Sequence, residues 1–405
     1  MNRQLAELKP YPFDRLRSLF DQVVPNPTLA NIALHIGEPR HAPPVVILNS
    51  LQHDIAAGLS SYPLSRGIDT LREAAADWLE ARFELPKGCI DPVTMVIPVA
   101  GTREALFSFC QAVVSHARPD PLVAMPNPGY QIYEGAAILA GAEPYYINTT
   151  AETGFLPDLA SVDASTWQRC QLLYMCSPGN PTGQVLDIDA WRLALNLADQ
   201  YDFVIASDEC YSEIYDPTQP PPLGLLQACQ QLDRKGFSRC IVFHSLSKRS
   251  SVPGLRSGFV AGDADNLRDY LLYRSYHGCA VNNAVQLASA IGWRDEAHVQ
   301  SNRNLYAQKF AAVAPLLCPH LDIYQPQGGF YYWAGVNGNE QTFAQDLFAN
   351  QNVSVLPGSF MSRATSEGDP GQGRVRISLV AELEACIEAA QRIATFTQQE
   401  WNREI

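Results

Sequence analysis

The sequence lacks any apolar run close to the roughly 18 residues that a membrane-spanning helix needs. Its ten cysteines are scattered, and the chain contains neither a Cys-x-x-Cys pair nor a His-x-x-x-His spacing. It also shows no signal peptide of the kind that would imply an oxidising compartment. We therefore expect a cytoplasmic chain with reduced cysteines, no metal site and no membrane partner.

Positive charge is also scarce. The chain has 29 Lys and Arg residues against 42 Asp and Glu residues, which gives a formal net charge of −13. Because a surface that binds duplex nucleic acid needs a basic footprint, we expect no nucleic-acid partner. Individual arginines can still bind small anionic ligands, so the net charge does not exclude an anionic substrate.

What the sequence does contain is enough apolar material for a large α/β fold. Its 405 residues are 46% hydrophobic, which favours a substantial core and two domains. Short apolar runs alternate with amphipathic stretches, without a repeat or a low-complexity linker. This order predicts a mostly parallel central sheet flanked by helices, and it predicts helices over 70–83, 299–316 and 381–400.

Polar residues follow the apolar runs at places where strands of such a sheet would end. The run over 96–100 precedes Gly101, Thr102 and Arg103, and an amphipathic helix follows, whose amino end can bind phosphate. The run over 122–125 precedes Tyr130, which offers an aromatic face for a planar ring. Ligands of open α/β sheets bind at the carboxyl ends of the strands, so these residues are candidates for one site.

Two more runs end in residues that suit a pyridine-containing cofactor. Residues 172–176 lead into Asn180, whose amide can donate to a phenolate oxygen. Residues 203–207 lead into Asp208, which can pair with a protonated pyridine nitrogen, and Tyr211 lies close enough in sequence to reach the phenolate.

The stretch from Ser245 to Gly258 is the most informative part of the chain. It follows a predicted strand over 240–244 and contains Lys248, whose amine can form a Schiff base with a carbonyl. Arg256 can bind a phosphate bidentately, and the hydroxyls of Ser245 and Ser247 can donate to it. The order Ser-x-x-Lys also occurs in serine acyltransferases, but the chain lacks the Ser-Asp-Asn and Lys-Thr-Gly sequences that accompany it there.

These motifs, in this order and over nearly the whole chain, resemble those of the class I and II aminotransferases that use pyridoxal 5'-phosphate, which have fold type I. The resemblance implies that Lys248 carries the cofactor, that Asp208 binds its pyridine nitrogen, and that Asn180 and Tyr211 bind its phenolate oxygen. Tyr130 would stack on the ring. The phosphate would be bound by the following residues: Gly101, Thr102, Arg103, Ser245, Ser247 and Arg256.

The same resemblance implies roles for residues that no motif explains alone. Arg376 would bind the substrate α-carboxylate together with Asn180, and the backbone of Gly37 would approach the substrate. Tyr62 would reach the phosphate of a neighbouring subunit, which implies a homodimer. Residues 50–290 would form a large cofactor domain and 291–405 a smaller α+β domain, with 1–49 packing against the smaller one.

Among these enzymes, the sequence around residues 11–16, 35–40, 130–135, 207–215 and 247–256 is most similar to proteobacterial N-succinyldiaminopimelate aminotransferases. The resemblance implies L-glutamate and 2-oxoglutarate as one substrate pair. The acceptor would be N-succinyl-2-amino-6-oxopimelate and the product N-succinyl-LL-2,6-diaminopimelate. Such a substrate carries remote carboxylates, for which the candidates are Arg249, Arg40, Arg274 and Arg66.

Other members of the same class remain open alternatives. An aspartate, aromatic or N-acetylornithine aminotransferase, or a β-lyase, would share every cofactor contact named above. A regulator built on an aminotransferase domain would need an added DNA-binding module, for which only about 30 residues precede the first motif.

Overall fold

The computed structural model describes residues 1–401, and the elements below lie within that range. The strands are β1 (Ile32–Ala33), β2 (Val96–Val99), β3 (Leu122–Asn127), β4 (Glu143–Asn148), β5 (Cys170–Cys176), β6 (Val204–Asp208), β7 (Cys240–Ser245), β8 (Gly258–Gly262), β9 (Tyr331–Gly335), β10 (Val353–Ser354), β11 (Leu356–Pro357) and β12 (Arg374–Ser378). The helices are α1 (Pro12–Phe20), α2 (Val45–Gly58), α3 (Asp69–Arg82), α4 (Thr102–Val113), α5 (Gln131–Leu139), α6 (Ala164–Arg169), α7 (Ile188–Tyr201), α8 (Leu225–Gln231), α9 (Leu246–Arg249), α10 (Ala264–His277), α11 (Asn283–Arg294), α12 (Ala297–Leu317), α13 (Glu340–Gln351) and α14 (Leu383–Phe396).

The three helices predicted from apolar spacing are confirmed as α3, α12 and α14. The α/β fold class is confirmed as well. A seven-stranded sheet has the order β2-β8-β7-β6-β5-β3-β4, and within it only β8 runs against its neighbours. Because the other six strands run the same way, their carboxyl ends meet at one edge, where polar residues follow β2, β3, β5, β6 and β7.

Both faces of this sheet are covered, which explains why its central strands β5, β6 and β7 are buried at nearly every position. In β5, Leu173 and Met175 pack into one core that also contains Trp191, whereas Leu172 and Tyr174 pack into another that contains Phe109. Successive side chains of a strand point to opposite faces, so the two cores lie on opposite sides of the sheet. A sheet held on both sides keeps its strand ends fixed.

A further apolar core, separate from the two that cover the large sheet, lies in the carboxyl-terminal part of the chain, around the antiparallel sheet β11-β12-β9 and helices α12, α13 and α14. The amino-terminal segment joins it, because β1 pairs with β10 and Ile32 and Leu34 are buried in that core. Phe20 of α1 also stacks on Phe348 of α13. The segment that contains Gly37 is therefore held by residues more than 300 positions later in the sequence.

Within residues 1–401, no helix combines the length and the apolar character that a bilayer crossing requires.

Candidate active site

The polar residues at the carboxyl edge of the large sheet line one cavity of about 610 Å³. Residues of the amino-terminal segment and of the antiparallel sheet β11-β12-β9 also contribute to its wall. The predicted site residues that line it are Gly37, Thr102, Arg103, Tyr130, Asn180, Asp208, Tyr211, Ser245, Ser247, Lys248, Arg256 and Arg376. A volume of this size is typical of sites for small molecules and cofactors.

Lys248 lies on the single helical turn α9, which follows β7 directly. Ser245 caps this turn, since its Oγ accepts a hydrogen bond from the N–H of Ser247 at 3.1 Å. The Lys248 ammonium donates to the carbonyl oxygen of Gly37 at 2.8 Å. Burial, together with the nearby Arg376 guanidinium, lowers the pKa of Lys248 to about 8. About one tenth of this amine is therefore neutral, and nucleophilic, at pH 7, far more than for a lysine with the ordinary pKa.

Gly37 is required by the close approach of an aromatic side chain. A Cβ atom at this position would lie 2.6 Å from the Tyr331 hydroxyl oxygen, well inside van der Waals contact. Tyr331 also shares a hydrogen bond of 2.5 Å with the hydroxyl of Tyr211. The segment at Gly37 therefore meets strand β9 and the loop after β6 next to the Lys248 amine.

Asp208 ends β6 and is buried, with 5% of its surface exposed. The Tyr133 hydroxyl donates to its Oδ2 at 2.8 Å, and the N–H of Cys210 donates to its Oδ1 at 3.3 Å. Burial raises the pKa of Asp208, while these hydrogen bonds oppose the shift. The carboxylate forms no ion pair with a basic side chain of the described residues, so it faces the cavity without a charged partner.

The sequence analysis did not predict Tyr133 as a site residue, although its spacing from Tyr130 could have indicated it. Tyr133 is three residues beyond Tyr130, and α5 begins at Gln131, so the two rings lie on one side of the same turn with centroids 5.8 Å apart. Burial raises the pKa of Tyr133 well above its usual value, which keeps its hydroxyl a hydrogen-bond donor to Asp208.

Arg376 is buried in β12 with 4% exposure, and it lies beside Asn180. One guanidinium nitrogen donates to Asn180 Oδ1 at 3.0 Å and the other to the carbonyl oxygen of His35 at 2.9 Å. Arg374, two residues earlier, instead pairs with Asp322 at 2.7 Å. Of these two arginines, only Arg376 therefore lines the cavity.

The turn between β2 and α4 brings backbone close to Arg256. Gly101 has a φ of +85°, and a Cβ at this position would overlap the Nη2 atom of Arg256. The Oγ of Ser245 donates to the Oγ of Ser247 at 2.9 Å, next to the same turn. The N–H groups of α4 and two hydroxyls therefore converge with one guanidinium, which is the donor set that a phosphate needs.

The side chain of Arg103 has a different environment from the one predicted. Its guanidinium donates to the hydroxyl of Tyr130 at 2.7 Å and to that of Tyr11 at 2.6 Å, whereas no hydrogen bond joins it to Ser245, Ser247 or Arg256. Only its backbone belongs to the turn at Gly101. Tyr11 was not predicted as a site residue, and its position comes from the contact between α1 and the carboxyl-terminal core rather than from a motif.

Two candidates for binding remote carboxylates were wrong. Arg249 is 2% exposed and is held by the carbonyl of Gly292 at 2.7 Å and by Glu296, so its charge is already paired inside the core. Arg274 is fully buried and pairs with Glu104 at 3.0 Å. Both are structural, and neither lines the cavity.

Arg40 and Arg66 are exposed and also do not line the cavity. Tyr62 is 98% exposed and lies apart from the cavity of its own chain. A role for Tyr62 in cofactor binding thus requires a second subunit and stays a prediction.

The sequence profile described as aminotransferase class I and II matches residues 31–393. The LL-diaminopimelate aminotransferase of Desulforudis audaxviator is 29% identical over 398 residues, which cover 96% of each chain. A crystal structure of an aminotransferase from Neisseria meningitidis is 46% identical, covers 98% of this chain and 100% of its own, and superposes with a TM-score of 0.94.

A protein from Thermus thermophilus described as a probable N-succinyldiaminopimelate aminotransferase is 24% identical and superposes with a TM-score of 0.82. It covers 95% of this chain and 98% of its own. At that identity the similarity supports the fold and carries no information on the substrate.

Proposed function

We propose that this chain, which belongs to the class I and II aminotransferases, transfers an amino group between L-glutamate and N-succinyl-2-amino-6-oxopimelate. The product would be N-succinyl-LL-2,6-diaminopimelate. The observation that carries this proposal is a cavity lined by two arginines, Arg376 and Arg103, in addition to those residues that suit the cofactor. Dicarboxylate substrates need two such cations in one site.

The enzymes of this family use pyridoxal 5'-phosphate, and the cavity fits it. Asp208 offers a buried carboxylate without a charged partner, which suits a protonated pyridine nitrogen. Lys248 offers an amine of lowered pKa for the aldehyde, and the turn at Gly101 with Arg256 offers donors for the phosphate. When bound, the cofactor supplies an electron sink that stabilises negative charge at the substrate α-carbon.

The residues around Lys248 then have separable tasks. With the cofactor and substrate bound, the neutral Lys248 amine would accept the proton from the substrate α-carbon and later return a proton. Asp208 holds the ring nitrogen protonated, and the Tyr133 hydroxyl orients that carboxylate. Tyr211 and the Asn180 amide group suit the phenolate oxygen, since the Asn180 Oδ1 atom is already used by Arg376.

Arg376 is suited to the substrate α-carboxylate. Its guanidinium is held in place by Asn180 and the His35 carbonyl, and it lies over the Tyr331 ring, 4.6 Å from the ring centroid. A planar guanidinium that is already fixed loses little conformational entropy when it binds a carboxylate bidentately. This arrangement serves every amino-acid substrate in the same way, so it does not select among them.

Selection would depend on Arg103. Two of its three nitrogens donate to Tyr130 and Tyr11, and the remaining Nη1 group makes no hydrogen bond with the described residues. A fixed guanidinium with one free edge can bind the second carboxylate of glutamate or the remote carboxylate of a diaminopimelate derivative. A substrate that lacks this carboxylate would leave the free edge without a partner.

A second candidate function is transamination of free LL-diaminopimelate, and Glu38 favours it. Glu38 lines the cavity and forms no hydrogen bond or ion pair with the described residues. Its carboxylate could bind the distal ammonium of free diaminopimelate, which succinylation removes. The LL-diaminopimelate aminotransferases at 29% identity support the same alternative.

A substrate comparison tests these alternatives. We expect kcat/KM for N-succinyl-LL-diaminopimelate, with 2-oxoglutarate as acceptor, to exceed that for free LL-diaminopimelate at least about tenfold. The reverse order would establish the second candidate. A preference for aspartate, an aromatic amino acid or N-acetylornithine would reject both, and release of pyruvate and ammonia from cystathionine would indicate a β-lyase.

We also propose that the active unit is a homodimer in which Tyr62 reaches the phosphate of the partner's cofactor. The supporting observations are its 98% exposure and the exposed apolar residues of α2 and the loop that follows it, Val45, Leu48, Ile55, Leu59 and Leu64. Mixing Lys248→Ala chains with Tyr62→Phe chains should partly restore activity, because each hybrid dimer contains one intact site. A fully active monomer would contradict this arrangement.

A further inference from the structure

A line of three buried or half-buried side chains, two of them on helix α12, ends at the backbone of Lys248. Lys309 Nζ lies 2.6 Å from His41 Nε2, and His41 Nδ1 lies 2.7 Å from Asn302 Oδ1. The Asn302 amide nitrogen donates to the carbonyl oxygens of Lys248 at 3.1 Å and Arg249 at 3.2 Å. We call these three side chains, His41, Asn302 and Lys309, the α12 relay.

The proton positions along the α12 relay follow from the two carbonyl groups at its end. A carbonyl oxygen only accepts hydrogen bonds, so the Asn302 nitrogen must face Lys248 and its oxygen must face His41. His41 therefore carries a hydrogen on Nδ1, and its Nε2 accepts from the Lys309 ammonium. Every polar group of the relay has a partner in this arrangement, and reversing any single group would leave a buried donor facing a donor.

Burial makes the α12 relay rigid. Asn302 is 7% exposed and Lys309 is 2% exposed. The His41 ring packs on Tyr306 with centroids 4.5 Å apart, and Ser251 Oγ donates to the His41 carbonyl at 2.8 Å. Burial lowers the pKa of both His41 and Lys309, and the charges of Lys309 and Glu382 act on His41 in opposite directions.

Both ends of Lys248 are thereby tied to one segment. Its ammonium donates to the Gly37 carbonyl directly, and its backbone carbonyl is tied to His41 through Asn302. The catalytic mechanism above uses none of the three relay side chains.

We propose that Asn302, oriented by His41 and Lys309, is a positioning residue that holds Lys248 in its desolvated place at the bottom of the cavity. The inference rests on the role proposed for Lys248. Without the two carbonyl contacts, α9 can shift and water can reach the amine. The groups that face this amine, Cys210, Arg376, Glu38 and Asp208, stay in place.

The amine itself reports on the relay, independently of any reaction. The full chain, freed of cofactor, is labelled with a trace of acetic anhydride over a range of pH, and the acetylated fraction at residue 248 is measured by mass spectrometry. The parent chain should show a midpoint near 8. In Asn302→Leu we expect the midpoint to rise by about one unit, because hydration favours the charged form. At pH 8 this lowers labelling about fivefold, since the neutral fraction falls from about one half to about one tenth.

Gln171→Leu is the matched control. Gln171 is also a buried amide with two contacts to backbone, at 2.7 Å and 2.9 Å to Ser115, but it lies at the amino end of β5, away from the cavity. We expect this variant to lose stability without moving the labelling midpoint. The double variant His41→Asn/Lys309→Met keeps a donor to Asn302 and removes the buried cation, so its midpoint should stay near that of the parent.

An unchanged midpoint in folded Asn302→Leu would overturn the proposal. If that variant does not fold, His41→Ala decides by the same measurement, since it removes the contact that orients Asn302. Because the readout is a property of the amine, a wrong substrate assignment would leave this test intact.

Discussion

The two sides of the cavity are built in different ways. The strand-end side, formed by Thr102, Asn180, Asp208, Ser245 and Lys248, comes from the carboxyl ends of strands of one sheet. The segment side, formed by Tyr11, Gly37, Tyr331 and Arg376, is assembled from parts of the chain more than 300 residues apart, and the Arg103 side chain belongs to it through its hydrogen bond to Tyr11. The first side suits the cofactor and the second suits the substrate.

Because the two sides are built differently, the segment side can change by substitution while the strand-end side keeps its geometry. The strand-end side is fixed by a sheet that is covered on both faces, so its geometry serves any amino-acid substrate. The segment side depends on contacts such as that of Gly37 with Tyr331, which substitutions can change without disturbing the sheet. Substitutions on the strand-end side should therefore affect all substrates alike.

The largest effect is expected at Lys248. Lys248→Ala removes the group that we propose moves the proton at the α-carbon, so transamination should fall by about four or more orders of magnitude for every substrate. The variant should still retain pyridoxal phosphate through the phosphate and ring contacts. Absorbance of the cofactor after gel filtration checks retention, and borohydride should fix the cofactor to the parent chain at Lys248. Fixation at another lysine would refute the assignment.

Asp208→Ala should have the next largest effect. Loss of the anionic partner weakens protonation of the pyridine nitrogen, and we expect turnover to fall by about three decades, which corresponds to roughly 4 kcal/mol. The decrease should be equal for glutamate and for the succinylated substrate. Tyr133→Phe, which removes one hydrogen bond to Asp208, is the matched milder variant and should lose about tenfold. Near-normal turnover of a folded, cofactor-loaded Asp208→Ala chain would contradict the role.

These two predictions concern residues that the sequence revealed. Lys248 and Asp208 could be found because apolar runs mark the strands, and in a parallel sheet the residue after each strand must lie at the ligand edge. Arg249 shows the limit of that reasoning. It is adjacent to Lys248 in sequence, but the single turn of α9 directs it into the core, where Glu296 pairs with it.

The segment side could be predicted only through resemblance. Nothing in the local sequence of Tyr11 indicates that its hydroxyl accepts from Arg103, because the contact depends on the packing of the amino-terminal segment on a core formed by residues after 310. The alternation in β12 placed Arg374 and Arg376 on one face but could not reveal which would meet Asp322. Tertiary contacts decided both cases.

Arg376→Gln should affect substrates strongly but leave the cofactor side intact. Removing charge-assisted hydrogen bonds to the α-carboxylate, each about 1.5–3 kcal/mol, should lower kcat/KM by about two to three decades for all amino acids. Cofactor affinity, measured by equilibrium dialysis, should change less than about threefold. A large loss of cofactor affinity would show that the two sides are not separable.

One electrostatic link between the sides should produce a smaller effect. Since Arg376 helps to lower the pKa of Lys248 to about 8, the neutral amine fraction should rise through that pH. Capture of pyridoxal phosphate by the cofactor-free chain should therefore accelerate about tenfold between pH 7 and pH 9 if the neutral amine is the reactant. In Arg376→Gln the midpoint should move to higher pH. Stopped-flow absorbance measures both, and a midpoint that moves to lower pH would contradict the stated sign.

The most direct test of this division compares kcat/KM for N-succinyl-LL-diaminopimelate and for L-alanine in the parent, Asp208→Ala and Arg103→Gln chains. Alanine has no second carboxylate, so it does not need Arg103. We predict that Asp208→Ala lowers both values by the same factor, within about threefold, whereas Arg103→Gln lowers their ratio at least about tenfold. An unchanged ratio in Arg103→Gln, or a changed one in Asp208→Ala, would contradict the account.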